Sequence, residues 1–129
     1  MTLFSGSLSG GIDYNALQHN IQRWKDQGFR GLTVQGSNGS YPYLLTSERI
    51  ELIEIVKECI DDLDMRKNDR LLLMAGAGAE STLETQRICE AMSLAGADCL
   101  LIVTPSFYKN AMNTTALIKH FTEVKRSTC

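Results

Sequence analysis

No dense cluster of lysine and arginine occurs in this sequence: 13 basic residues stand against 15 acidic ones, for a formal net charge of -2. A protein whose main task is to grip phosphate backbones needs a basic excess, so nucleic acid is not an expected partner. No apolar run approaches the roughly 18 residues that span a bilayer, so no membrane partner is expected. The first residues, MTLFSGSLSGG, have neither the basic start and long apolar segment of a secretory signal nor the arginine content of a transit peptide. A cytoplasmic location is the expectation, with a mitochondrial one left open.

Other absences narrow the chemistry. The four cysteines, Cys59, Cys89, Cys99 and Cys129, form no C-x-x-C pair, which disfavours a zinc or redox site and predicts buried, reduced thiols. No Gly-Lys-Ser or Gly-Lys-Thr phosphate loop is present. Ala75 to Glu80 (AGAGAE) begins like a dinucleotide fingerprint, but Ser81 stands where the third glycine belongs. No cofactor and no metal are therefore expected. The two histidines, His19 and His120, both fall inside helical patterns and read as surface or packing residues, which leaves a Ser-His-Asp mechanism without a base. Paired carboxylates at strand ends, as a glycosidase needs, are missing too.

What the sequence does contain is one ordinary domain's worth of patterned chain: 129 residues, 43% hydrophobic and 22% charged. Asp13 is a plausible N-cap for a helix in which Tyr14, Leu17, Ile21 and Trp24 recur at spacings of three or four before Gly28. A strand is predicted over residues 29–35 and a second helix from about Ser47 to Leu63. Ile50, Ile53, Val56 and Ile60 line one face of that helix, and Glu48, Glu51, Glu54, Lys57 and Glu58 supply a solvated one. A polar link, Asp64 to Asp69, precedes Arg70 to Ala75, an apolar run whose continuity predicts a strand covered on both faces. Ser81 and Glu84 form a capping box for a third helix, which buries Ile88, Ala91, Met92 and Ala95. Cys99 to Val103 is the next strand, and a last helix begins near Asn113 with Leu117, Phe121 and Val124 on one face.

Alternating helices and strands with right-handed crossovers make the three strands parallel. Two architectures fit, a (β/α) barrel and a doubly wound open sheet. A barrel takes eight strands and roughly 250 residues, so three strands are only part of one.

Candidate site residues follow from the strand ends. Gly36-Ser37-Asn38-Gly39 leaves the first strand as a polar glycine loop, followed by Ser40, Tyr41 and Tyr43. Thr104, Tyr108, Lys109 and Asn110 follow the third. Such a loop either presents backbone N–H groups and hydroxyls to an anion or is simply a turn that needs two glycines. The neutral, hydrogen-bonding rim suits the carboxylate of a small oxo acid. Lys109 is the only lysine near a strand end, but it falls in a loop, whereas a nucleophilic amine usually needs a rigid buried element.

The stretch GLTVQGSNGSYPYLLTSE, Gly31 to Glu48, resembles the first signature of the N-acetylneuraminate lyase and dihydrodipicolinate synthase family. That signature has a glycine, an apolar run, Gly-Ser/Thr-Thr/Asn-Gly-Glu and a downstream Glu-Arg, here Glu48-Arg49. LLLMAGAGAEST and AGADCLLIVTPSFY resemble the family's third and fourth strands. The combination is most similar to the 4-hydroxy-2-oxoglutarate aldolase branch.

The resemblance implies an α/β fold, a partial (β/α)8 TIM barrel with parallel strands. Residues 1–129 would be a single incomplete domain, its N-terminal half, with about three βα units plus the first helix. It implies a carbon–carbon lyase or aldolase acting on a pyruvate-like 2-oxo acid through a lysine Schiff base. Ser37 and Tyr108 are the implied catalytic residues, with Tyr108 contributed to a neighbouring subunit, and Gly36, Ser37, Asn38 and Gly39 the implied carboxylate binders. The family's lysine is on the sixth strand and its second tyrosine on the fifth, neither of which these 129 residues contain, so the chain alone is expected to be inactive. Two departures stand out: a first strand shortened to Thr2-Leu3-Phe4, and Ser40 in place of the signature's glutamate. Homo-oligomers are implied, or association with a full-length relative. A non-catalytic half-barrel that docks on such relatives is the alternative.

Overall fold

The computed structural model describes residues 11–39, 41–63 and 70–128, so the expected short strand at Thr2-Leu3-Phe4, Ser40, the link Asp64 to Asp69 and Cys129 lie outside the described residues. The helices are α1 (Tyr14–Asp26), α2 (Thr46–Leu63), α3 (Thr82–Leu94) and α4 (Thr114–Thr128), and the strands are β1 (Gly31–Val34), β2 (Leu72–Gly76) and β3 (Cys99–Leu101). All three strands are parallel, in the order β1-β2-β3.

The helix starts come from side chains that satisfy backbone donors which the first turn leaves without partners. Asp13 accepts from the Ala16 N–H at 2.9 Å, and Ser81 Oγ accepts from the Glu84 N–H at 3.1 Å. Helix α1 stops at Gln27, where Gly28 takes φ 85°, a left-handed conformation that glycine adopts without a Cβ penalty.

Pairing runs from Gly31 opposite Leu72 to Val34 opposite Ala75, and from Met74 opposite Cys99 to Gly76 opposite Leu101. Asp98 sets the second register. Its N–H donates to the Leu73 carbonyl at 2.8 Å, and its carboxylate accepts the Leu73 N–H at 2.8 Å.

One face of the sheet meets the helices. Leu73 and Ala75 join Leu52, Ile53, Val56 and Ile60 of α2 and Ile88, Cys89 and Met92 of α3 in one core cluster. Each large side chain buried there contributes about 1.5–3 kcal/mol. The opposite face is not covered, contrary to the two-sided burial expected from the apolar runs: Leu72 is 57% exposed and Leu101 40%. The side chains alternate across the pleat, and among the described residues only one side of it has helices to pack on.

Cys99 belongs to that uncovered face and is exposed, which corrects the expectation that the thiols are buried, whereas Cys59 and Cys89 are buried. Strand β3 is also shorter than predicted, because regular pairing ends at Leu101 and Ile102 and Val103 continue beyond the ladder. His120 is buried between α3 and α4, its Nδ1 3.0 Å from Thr82 Oγ1, and His19 is exposed, in line with the packing and surface roles expected of them. No helix among the described residues is long and apolar enough to cross a membrane.

Candidate functional site

The carboxyl ends of β1 and β2 are drawn together by the shape of the main chain. Gln35, the residue after β1, takes φ 61°, and a Cβ on Gly76 would lie 2.0 Å from the Gln35 carbonyl oxygen. Glycine is required there because the two strand ends touch. The loop then turns through a short 3-10 segment, Ser37–Gly39, closed by the Gly39 N–H on the Gly36 carbonyl at 2.7 Å. A second such turn, Tyr41–Tyr43, leads to α2, where the Glu48 carboxylate accepts the Leu45 N–H at 2.7 Å.

Under this loop lies a buried cation. Arg49, 6% exposed, donates from Nε to Gln35 Oε1 at 3.0 Å and from Nη2 to the Gly76 carbonyl at 3.0 Å. Gln35 Nε2 returns a hydrogen bond to the Arg49 carbonyl, and the guanidinium carbon sits 5.1 Å from the centroid of the Tyr41 ring. Burial pushes the Arg49 pKa down from its ordinary value, opposed by Tyr41 and Glu84, and the group stays charged because guanidinium ionises so far above neutrality. One side chain of α2 thus ties together the ends of β1 and β2 and the loop between β1 and α2.

The cavity above it is lined by Gln35, Gly36, Ser37, Tyr41, Gly76, Gly78, Leu101 and Val103 and measures about 10 Å³, room for one water at most. Gly36 and Ser37 meet in its wall. Asn38 and Gly39 are not part of its wall; Asn38 is exposed and Gly39 buried. Tyr108 is not brought to it either. It is 71% exposed and lines a separate surface groove with Phe107, Lys109, Asn110 and Ala111. A larger cavity, about 200 Å³, lies between α1, β1 and α2 with a mostly apolar wall that includes Leu17, Ile21 and Trp24.

Arg49, Gln35 and Glu80 escaped the reading of individual residues. For Arg49 a signal existed, since positions 49, 52, 53, 56 and 60 share one helical face and Arg49 is the polar member of an apolar stripe. For Glu80, whose carboxylate accepts the backbone N–H groups of Ser106 and Phe107, nothing local distinguishes it from a solvated helix start.

Residues 4–129 match the dihydrodipicolinate synthetase family. The chain belongs to that family. Within it, the chain is 30% identical over 113 residues to a protein from Emericella nidulans named as a probable mitochondrial 4-hydroxy-2-oxoglutarate aldolase, covering 88% of this chain and 36% of that one. It superposes with TM-score 0.84 and 25% identity on a monomeric dihydrodipicolinate synthase variant, over 100% of this chain and 39% of that chain. With the dihydrodipicolinate synthase from Acinetobacter baumannii, a structure complexed with pyruvate, the values are TM-score 0.80, 27% identity, 92% and 38%. The chain thus spans little more than a third of the length of these family members, and the three parallel strands and four helices of its described residues correspond to an N-terminal part of the family's TIM barrel.

Proposed function

We propose that this chain is the N-terminal part of a 2-oxo-acid lyase of the dihydrodipicolinate synthetase family, nearest in chemistry to 4-hydroxy-2-oxoglutarate aldolases, and that it supplies the carboxylate-binding loop. The observation that carries the reading is the Gly36–Gly39 loop, fixed from below by Arg49 at the carboxyl end of β1, the end at which barrel enzymes place their ligands. Ser37 is the proton-relaying hydroxyl in this reading, and the side chains and backbone N–H groups of Ser37 and Asn38 hold the substrate carboxylate. Tyr108, exposed here, reaches the site of a neighbouring subunit. A protonated imine is the electron sink for cleavage of the carbon–carbon bond, and the lysine that forms it is on a strand beyond these 129 residues. The 129-residue chain alone is therefore a clamp without a nucleophile. Its working compartment is cytoplasmic or mitochondrial.

The test is a fusion of this chain to the C-terminal remainder of the Emericella aldolase, assayed for pyruvate release from 4-hydroxy-2-oxoglutarate. A folded fusion with turnover that falls about a hundredfold on Ser37→Ala supports the reading. A folded but inactive fusion, or one indifferent to Ser37, overturns it.

The uncovered sheet face, with Leu72 and Leu101 exposed, favours a second reading. In it the chain docks without catalysis on a full-length relative. Size-exclusion chromatography of the mixture separates the two: a mixed oligomer supports docking, and independent elution of both proteins counts against it.

A further inference from the structure

Beyond Leu101 the chain from Ile102 to Phe107 has left the regular ladder, yet it is held at several points. The Ala77 N–H donates to the Leu101 carbonyl at 3.0 Å. A Cβ on Gly78 would lie 2.7 Å from Val103 Cγ2 and 2.9 Å from the Val103 nitrogen, so this segment packs directly on the main chain that follows β2. Pro105 is buried. Then Glu80 reaches across. Its Oε2 accepts the N–H groups of both Ser106 and Phe107 at 3.0 Å, and Oε1 lies 3.3 Å from the Ser106 nitrogen.

The base of this clamp is rigid. Ala79, before Glu80, donates its N–H to Thr85 Oγ1 at 3.2 Å, and Ser81, after it, is the N-cap of α3. Thr85 is fully buried. The far side of the clamp carries the aromatic pair: Phe107 and Tyr108 rings meet edge to face at 4.9 Å, and the Tyr108 carbonyl accepts from Ala111 and Met112 N–H at 2.9 and 3.2 Å. A carboxylate is the strong acceptor for two adjacent backbone donors, and here it does what a neighbouring strand does elsewhere along β3.

We propose that Glu80 is the positioning residue for Tyr108: by holding the N–H groups of Ser106 and Phe107 it sets the direction in which the Phe107–Tyr108 pair leaves the barrel rim. The functional weight of this rests on the reading of Tyr108 as a site residue, but the clamp itself does not.

The test is NMR on the labelled 129-residue chain, comparing wild type with Glu80→Gln, Glu80→Asp and Glu80→Ala. Glu80→Ala removes the acceptor, and Glu80→Asp keeps the charge but is one methylene too short. Both are expected to speed amide exchange at Ser106 and Phe107 by about tenfold and to move the Tyr108 ring resonances toward those of an unstructured chain. The Ala77 and Asp98 amides of the sheet stay protected. Glu80→Gln is expected to rescue both signals, because one oxygen already takes both donors. Unchanged exchange at Ser106 and Phe107 in Glu80→Asp overturns the proposal, as does a Glu80→Gln variant that behaves like Glu80→Ala, or an equal rise at Ala77 and Asp98. If Glu80→Ala does not fold, Glu80→Asp carries the comparison. None of these signals involves pyruvate or turnover, so failure of the proposed function in the fusion assay remains distinguishable from a failed clamp.

Discussion

Arg49 and Gln35 hold each other in both directions: Arg49 Nε donates to Gln35 Oε1 at 3.0 Å, and Gln35 Nε2 donates to the Arg49 carbonyl. Because Arg49 Nη2 also reaches the Gly76 carbonyl at 3.0 Å, its removal leaves two buried acceptors without a donor. Arg49→Met is expected to cost about 3 kcal/mol in urea unfolding. Arg49→Lys loses the planar fork and is expected to cost about 2 kcal/mol. Losses below 1 kcal/mol for Arg49→Met would remove Arg49 from its place as the tie under the loop.

The glycines divide by what surrounds them. Gly76→Ala drives a methyl onto the Gln35 carbonyl and Gly78→Ala drives one onto Val103, so each is expected to cost about 3 kcal/mol or prevent folding. Gly36→Ala meets only Thr33 Cγ2 at 3.6 Å and is expected to stay within about 1 kcal/mol of wild type. Thermal melting of the three variants checks the order, and a Gly36 variant as damaged as the Gly76 one contradicts it.

The two sheet faces are predicted to respond differently. Leu73→Ala, on the fully buried side, is expected to cost about 3 kcal/mol. Leu72→Lys, its exposed neighbour, is expected to cost less than about 1 kcal/mol and to reduce self-association, read by urea unfolding and light scattering. Equal destabilisation would mean that the second face is covered.

Burial pushes the thiols of Cys59 and Cys89 up from their ordinary value. In the unfolded chain each ionises first, so between the unfolded and the raised folded pKa the unfolded state carries fewer protons. Stability is then full below the unfolded value and falls as pH rises above about 8.5. The urea midpoint is expected to drop between pH 8 and 10 in wild type and to drop less steeply in a Cys59→Ala, Cys89→Ala double variant. At pH 8 the exposed Cys99 is expected to react with a thiol reagent well before either buried thiol, mapped by peptide mass spectrometry.

The helices and their alternation with parallel strands were legible because local rules and packing agree: Asp13 and Ser81 are caps in sequence and in structure, and the apolar stripes of α1 and α2 face the core. The half-covered sheet was not, since an apolar run such as Leu71 to Ala75 records what a strand is built to meet, and among the described residues helices meet only one side of it. Within the loop, Gly36 and Ser37 stood out in the sequence by their place after an apolar run, and both line the small cavity. Arg49 and Glu80 were not singled out as ties, because their partners are the backbone of Gly76, Ser106 and Phe107, 26 or 27 residues away in each case, and no pattern in the chain marks such a pairing.

The central claim, a carboxylate clamp without an imine-forming lysine, is tested most directly by treating the 129-residue chain with pyruvate and borohydride and reading its intact mass. The account predicts no covalent adduct, while the fusion to the aldolase remainder is trapped under the same conditions. An adduct on the chain alone, mapped to Lys109 or any other lysine, would contradict it.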